Sequence, residues 1–182
     1  MDDNTVDFQF NDFVNYNSNN NITISFAETV SAGAVSNCLC SEPGSSKFFL
    51  GGIVAYNMEV QKNLLGVDSD YAEKNNFANH ITTLTMAKTV ATMFKSNIGM
   101  SNTGYSLPLY RPADLESGKC EINVIIPYAY ICLYDARYDS HKIFYIENIH
   151  YKKEGNQKLQ RTEMQMMVAL RSKAIYDDYL SK

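Results

Sequence analysis

The sequence predicts a single-domain three-layer α/β/α sandwich with a mixed sheet, and three observations carry the prediction. Strand-like and helix-like segments alternate from residue 22 onward, a pattern that puts helices on both faces of a sheet. Two strand-like segments, roughly Glu121 to Tyr134 and His141 to His150, follow each other across a short polar turn, so part of the pairing is antiparallel. A long helix-like stretch then closes the chain, which at 182 residues is long enough to bury one sizeable core and short for two.

Residues 1–21 are rich in Asn and Asp and end in Asn-Tyr-Asn-Ser-Asn-Asn-Asn, with little apolar surface to offset the entropy of ordering them. They read as a partly mobile N-terminal arm, in which Phe10, Phe13 and Val14 have the spacing of a short docking helix, and residues 22–182 read as the domain. Ile22 to Phe26 alternates β-branched and aromatic residues with small polar ones and is a strand. It runs through Glu28 and Thr29 to Gly33 into a helix, whose first N–H groups could hold an anion or a carbonyl.

Pro43 and Gly44 set a turn over Ser41 to Ser46. Phe48 to Tyr56 is an apolar strand interrupted by Gly51-Gly52, which marks a bulge or a close approach of another backbone. Met58 to Leu65 is a helix ended by Gly66, and Asp68 to Lys74 a short polar one. Asn79 caps a helix from His80 to about Lys95, with Leu84, Ala87, Val90, Ala91 and Phe94 inward. Ile98 to Ser101 reads as a short strand, and polar loop continues from Asn102 to Lys119. Pro127 marks the strand that follows as an edge strand or a broken one. The last helix spans about Asn156 to Tyr179, with Leu159, Met166, Met167, Leu170 and Ala174 on one stripe.

Composition excludes several functions. A net charge of −4 with scattered Lys and Arg gives no field for a phosphate backbone, so nucleic acid is not an expected partner. No apolar run reaches the length of a membrane span, and the acidic start MDDNTVDFQF does not resemble a signal peptide. A cytoplasmic protein is expected. Cys38, Cys40, Cys120 and Cys132 contain no C-x-x-C pair and read as reduced core thiols. His80, His141 and His150 lie far apart in sequence, so neither a metal nor a cofactor is expected. No G-x-S-x-G, Walker A, H-E-x-x-H or G-x-G-x-x-G motif is present.

What remains is Ser46 on a tight turn and Tyr56 at the end of the next strand, placed so that both could face one cleft. The stretch around them resembles the C-terminal domain of the CinA family, the nicotinamide mononucleotide (NMN) deamidases. That family carries T-A-E-S-C-T-G-G, P-G-S-S, F-x-G-G-x-V-x-Y-S-N-E-A-K and L-L-G-V in order. The matching text here is Phe26 to Gly33, Pro43-Gly44-Ser45-Ser46, Phe49 to Gln61 and Leu64-Leu65-Gly66-Val67. Thr103-Gly104 and Pro108 stand where the family has T-G-I-A-G-P, Pro127-Tyr128-Ala129 where it has P-V-G, and the last helix with Arg161 also has a counterpart.

The resemblance implies a CinA-like fold, a homodimer, and a site in which a Ser nucleophile, a Lys base and an assisting Tyr hydrolyse the carboxamide of the nicotinamide ring. The nucleophile corresponds to Ser46 and the tyrosine to Tyr56, but the base position is Gln61. Unbroken spacing from Tyr56 to Leu64-Leu65-Gly66 keeps Lys62 out of that register, and the next residue on a helix points about 100° away. Loss of the base typically costs about 10²–10⁴ in rate.

The binding positions have drifted as well. They correspond to Thr29, Ser31, Gly33, Thr103, Gly104 and Arg111; Ala32, and the run Ser106 to Arg111 where the family has A-G-P-x-G-G, now put side chains where the family has bare backbone. The expectation is therefore a divergent, catalytically inactive CinA-like protein acting as a binding or assembly subunit, through a protein partner or self-association, with residual nucleotide binding open. The alternative is an active amidohydrolase on NMN or a related amide, with Ser46 as nucleophile and another base.

Overall fold

The computed structural model describes residues 21–111, 123–148 and 155–181. The proposed arm, residues 1–21, lies outside them except for Asn21, as do Cys120 and His150. The elements in chain order are β1 (Ile24–Glu28), α1 (Ala34–Cys40), a 3₁₀ turn (Ser45–Lys47), β2 (Phe49–Val54), α2 (Met58–Leu65), α3 (Ser69–Lys74) and α4 (His80–Phe94). They continue with β3 (Ile98–Tyr105), β4 (Leu109–Arg111), β5 (Asn123–Ile125), β6 (Tyr128–Asp135), β7 (Ser140–Glu147) and α5 (Gln157–Leu180).

Five strands make the main sheet in the order β2-β1-β3-β6-β7. β1 pairs parallel with both β2 and β3, and β6 and β7 add antiparallel strands, so the sheet is mixed as expected. The inward residues of β1 and β3 on one face, Ile24, Phe26, Ile98 and Met100, pack with Val35 and Leu39 of α1 and with Met164, Val168, Tyr176 and Leu180 of α5. On the other face Ala27 packs with Leu65, Ala72, Met86 and Val90 from α2, α3 and α4. Side chains alternate across a strand, so each buried strand supplies both cores.

Local chemistry fixes the element ends. Asn57, Asp68, Asn79 and Asn156 each accept a hydrogen bond from a backbone N–H of the helix they precede, satisfying donors left free in the first turn. Gly66 ends α2 with φ 66°, a left-handed cap. The Gly51-Gly52 signal is accounted for twice over. Between Ile24 and Ser25 the β1–β2 register skips Leu50, a bulge. A Cβ on Gly51 would lie 2.6 Å from the Phe94 ring, and one on Gly52 2.6 Å from Ser36 Oγ and 3.0 Å from the Phe26 carbonyl.

Several expectations are corrected. β3 runs through Asn102 to Tyr105, which the sequence reads as loop, because those polar groups find buried partners on α4 and after β1. A two-stranded ribbon, β4 with β5, occupies part of the stretch read as loop and strand. The buried stripe of α5 is Met164, Val168, Ser172, Tyr176 and Leu180, whereas Leu159, Met166 and Leu170 are exposed. On α4, Met86 is buried and Leu84 only half-buried. Of the thiols, Cys132 is buried, Cys38 half-buried and Cys40 exposed, all free. No helix among the described residues is long and apolar enough to cross a membrane.

Candidate functional site

The connections leaving β1 and β2 take opposite faces of the sheet: α1 crosses on one side, α2 to α4 on the other. The strand order reverses at β1, and the crevice beyond the C-terminal ends of the parallel strands is where such sheets place ligands. A cavity of about 530 Å³ lies there. Thr29 and Val30 enter it from the end of β1, Tyr56, Met58 and Gln61 from beyond β2, Thr103 to Leu109 from β3 and its exit, and Arg161 from α5.

Gln61 is 7% exposed, and its Nε2 donates to the Ala55 carbonyl at 3.0 Å. Its amide is thus tied to the backbone at the exit of β2. Tyr56 is 57% exposed at the mouth, with the Arg161 guanidinium 5.7 Å from its ring centroid, within cation–π range. Lys62 is exposed and lines an adjoining hollow with Asn57, Met58, Glu59, Asn63 and Ser69; it is not among the residues that line the cavity. The titratable side chains among the lining residues are Tyr56, Tyr105 and Arg161. None is a base at neutral pH.

The β1–α1 turn is occupied by the protein itself. Glu28 is fully buried at the end of β1. Its Oε2 accepts from Ser31 Oγ (2.6 Å), Gly33 N (2.9 Å) and Val35 N (3.1 Å), and its Oε1 from Ser36 N (2.8 Å) and Ser36 Oγ (2.6 Å). The anion that the sequence allows at this helix start is therefore an internal carboxylate, stabilised by the donors it satisfies. Asn102 closes the other side: its Oδ1 accepts from Thr29 N and Ser31 N, both at 3.3 Å, and its Nδ2 donates to Ser31 Oγ at 2.7 Å. Thr29 Oγ1 donates to the Asn102 carbonyl at 3.1 Å.

Of the predicted binding positions, Thr29, Thr103 and Gly104 line the cavity. The Thr103 hydroxyl is 2.7 Å from that of Thr83, which itself donates to the Asn79 carbonyl at 2.6 Å. Ser31 and Gly33 belong to the Glu28 network beside the cavity. Arg111 ends β4, paired through its backbone with Asn123. Sequence reasoning did not assign Glu28, Asn102 or Arg161 to the site. A charged residue closing an apolar strand just before a helix is the signal that could have found Glu28.

Ser46 is the largest departure. It is exposed on the 3₁₀ turn before β2, where Phe48 O accepts from Ile24 N at the start of β1. Tyr56 and Gln61 lie past the other end of β2. A strand advances roughly 3.3 Å per residue, so the Ser46 and Tyr56 backbones are on the order of 20 Å apart within one chain. One chain does not bring Ser46 to the cleft that holds Tyr56 and Gln61.

Among the described residues no group of three His, Cys, Asp or Glu side chains could hold a metal ion. His80 and His141 are both exposed.

A mixed sheet between two helical layers, with a crevice at the reversal of strand order, defines a three-layer α/β/α ligand-site fold. The family model for the CinA C-terminal domain matches residues 10–144, roughly three quarters of the chain, and the chain belongs to that family. The match begins inside the stretch read as an arm. A CinA-like protein of Dictyoglomus thermophilum is 37% identical over 91 residues, 50% of this chain and 22% of the relative. One of Pseudothermotoga lettingae is 36% identical over 86 residues, 47% of this chain and 21% of the relative. The chain thus spans about a fifth of the length of these curated relatives.

Two solved structures share the fold. The competence/damage inducible protein CihA of Agrobacterium tumefaciens superposes with a TM-score of 0.71 at 18% identity, covering 95% of this chain and 93% of that one. A CinA superfamily protein of Enterobacter cloacae gives 0.70 at 15%, covering 94% and 89%.

Proposed function

We propose that this chain is a CinA-like protein that no longer hydrolyses amides and works as a binding or assembly subunit in the cytoplasm. One observation carries the reading: among the described residues, the cavity that receives Tyr56 and Gln61 is lined by no amine, imidazole or carboxylate able to remove a hydroxyl proton. Acyl transfer by a serine needs such a base within hydrogen-bond reach. Lys62 serves a different hollow, and the Gln61 amide nitrogen is already committed to Ala55 O. The free cysteines suit a reducing compartment.

The cavity remains large enough for a small ligand. Arg161 at its mouth gives it a cation, so nucleotide binding without turnover fits this reading. Incubating the purified chain with NMN and measuring ammonia tests it: no release above background is expected. Release that disappears in Ser46→Ala overturns the reading in favour of an active amidohydrolase. Gln61→Lys is expected to leave the chain inactive, because the Glu28–Ser31–Asn102 network and the loop after Thr103 would be unchanged. Ammonia release by that single variant would refute the claim that the binding positions have also drifted.

A further inference from the structure

We propose that Phe77, in the turn between α3 and α4, contacts the ligand of the cavity and sets its specificity, its ring being the wall on which a flat ring of that ligand stacks. The proposal rests on the reading of the cavity as a binding site without turnover. The turn lies outside the motifs of the family resemblance, which stop at Val67 and resume at Thr103.

The turn, residues 75–79, holds two neighbouring residues in the left-handed region, Asn76 at φ 66° and Phe77 at φ 55°. Asn tolerates that conformation because its short side chain bonds locally, whereas a bulky aromatic is strained there by its Cβ against the backbone. Such a conformation persists only where the surroundings over-determine it. Here they do. Phe77 N donates to the Ala72 carbonyl at 2.6 Å, and Ala78 N donates to the Asn76 carbonyl. The Tyr105 hydroxyl donates to Asn76 O at 3.0 Å, the Tyr128 hydroxyl to Ala78 O at 3.2 Å, and Asn79 Nδ2 to Asn75 O at 3.3 Å. Tyr105 ends β3 and Tyr128 begins β6, so the turn is fastened to the sheet as well as to its own helices.

What the fastening holds in place is an exposed ring. Phe77 is 40% exposed and belongs to neither core. It lines the cavity beside Ala78 and Tyr105. A turn that only had to reverse the chain would carry Gly or Asn at a left-handed position. Backbone strain that presents an aromatic to a cavity, and packs it into no core, is what a ligand clamp requires. The lining also indicates the class of ligand. Among the described residues it contains the aromatic rings of Tyr56, Phe77 and Tyr105, one cation in Arg161, and no carboxylate. Aromatic faces favour flat unsaturated rings, in stacked or edge-on contact.

The test uses the full chain and two probes, NMN and ribose 5-phosphate, which share a sugar phosphate and differ by the flat ring. Isothermal titration is expected to show NMN bound about 10-fold or more tightly than ribose 5-phosphate, the range of one stacked ring. Phe77→Asn supplies a residue suited to φ 55°. It is expected to remove that difference by weakening NMN alone, with a urea midpoint no lower than that of the wild type. Phe77→Tyr is expected to keep the difference.

Equal affinity of the wild type for the two probes overturns the proposal, as does a Phe77→Asn chain that binds NMN as the wild type does. A fall in the urea midpoint of Phe77→Asn, with both probes weakened together, overturns it as well, because the ring would then be structural. No binding of either probe at millimolar concentration overturns the proposal and the binding reading together. Ammonia release from NMN would sink the inactive reading while leaving the ring-dependent loss in Phe77→Asn where it is, so the two failures are distinguishable.

Discussion

β2 and β7 are the two outer strands of one sheet, and they meet solvent with opposite chemistry. β7 carries His141, Lys142 and Glu147, is largely exposed, and pairs with β6 along all eight residues. The turn before it is pinned at Asp135, which accepts from Arg137 N at 2.9 Å and pairs with the Arg137 guanidinium at 2.6 Å. β2 is six residues long, uncharged, bulged at one end, and followed by exposed Tyr56 at the cavity mouth. Charged edge residues keep strands from pairing with other chains. The difference teaches that, among the described residues, β7 is finished as a charged surface and β2 is not, and the candidate site lies past the end of β2.

The comparison breaks most easily at Gly52. A side chain there meets the Phe26 carbonyl, which is backbone of the neighbouring strand and cannot yield without shifting β1. Gly52→Val is expected to destabilise the fold by about 3 kcal/mol, the overpacking range, in urea unfolding. Lys142→Ala on β7, an exposed position, should stay within about 0.5 kcal/mol. Equal costs at the two strands would show that β2 is as tolerant an edge as β7.

The fastening of the β7 hairpin sharpens the contrast through pH. Burial pushes the Asp135 carboxyl up, but hydrogen bonds from Arg137 and Tyr179 outweigh it and hold the carboxyl below the usual range. A carboxylate whose pKa is depressed on folding contributes stability that is fully present above its unfolded value. That contribution is lost as the pH falls through the folded value. Asp135→Asn should therefore cost about 2–3 kcal/mol at neutral pH, as expected for removing one member of a largely buried pair. Its stability should also fall less steeply than that of the wild type below about pH 4. Parallel acid profiles for the two proteins would place the fastening elsewhere.

These features differ in how far the residues alone revealed them. The helix ends at Asn79 and Gly66 were legible because a cap and a left-handed turn act locally and need no tertiary context; the caps Asn57 and Asp68 act in the same way but were not read, Asp68 being placed inside its helix. The Gly51-Gly52 signal was legible for the same reason. The extension of β3 was not, because Asn102 and Thr103 are polar and only distant partners, Thr29 and Thr83, make them tolerable in a core. On α5, apolar residues occupy more than one side of 24 residues of helix, and only the position of the sheet selects Met164, Val168 and Tyr176 over Leu159 and Leu170.

At the site, the register from Tyr56 through Gln61 to Gly66 was readable, since a helix and a cap fix it. The separation of Ser46 from Tyr56 was not read: the sequence puts both at one cleft, whereas β2 between them carries the chain from one end of the sheet to the other.

The smallest expected effect lies on the finished edge. Tyr145 is half-exposed on β7, yet its ring centroid is 5.1 Å from that of Tyr130 and 5.7 Å from that of Tyr128, and its hydroxyl donates to Glu147 at 2.6 Å. Aromatic pairs in such geometry contribute about 0.5–1.5 kcal/mol beyond the area they bury. Tyr145→Leu keeps an apolar side chain and removes the ring and the hydroxyl, so a loss of about 1 kcal/mol in urea unfolding is expected. Its oligomeric state should match the wild type, because the tyrosines of β6 and β7 are engaged with one another. If Tyr145→Leu instead changed the oligomeric state and left unfolding alone, the aromatic cluster would be a docking surface, and β7 would be the edge left open for a partner.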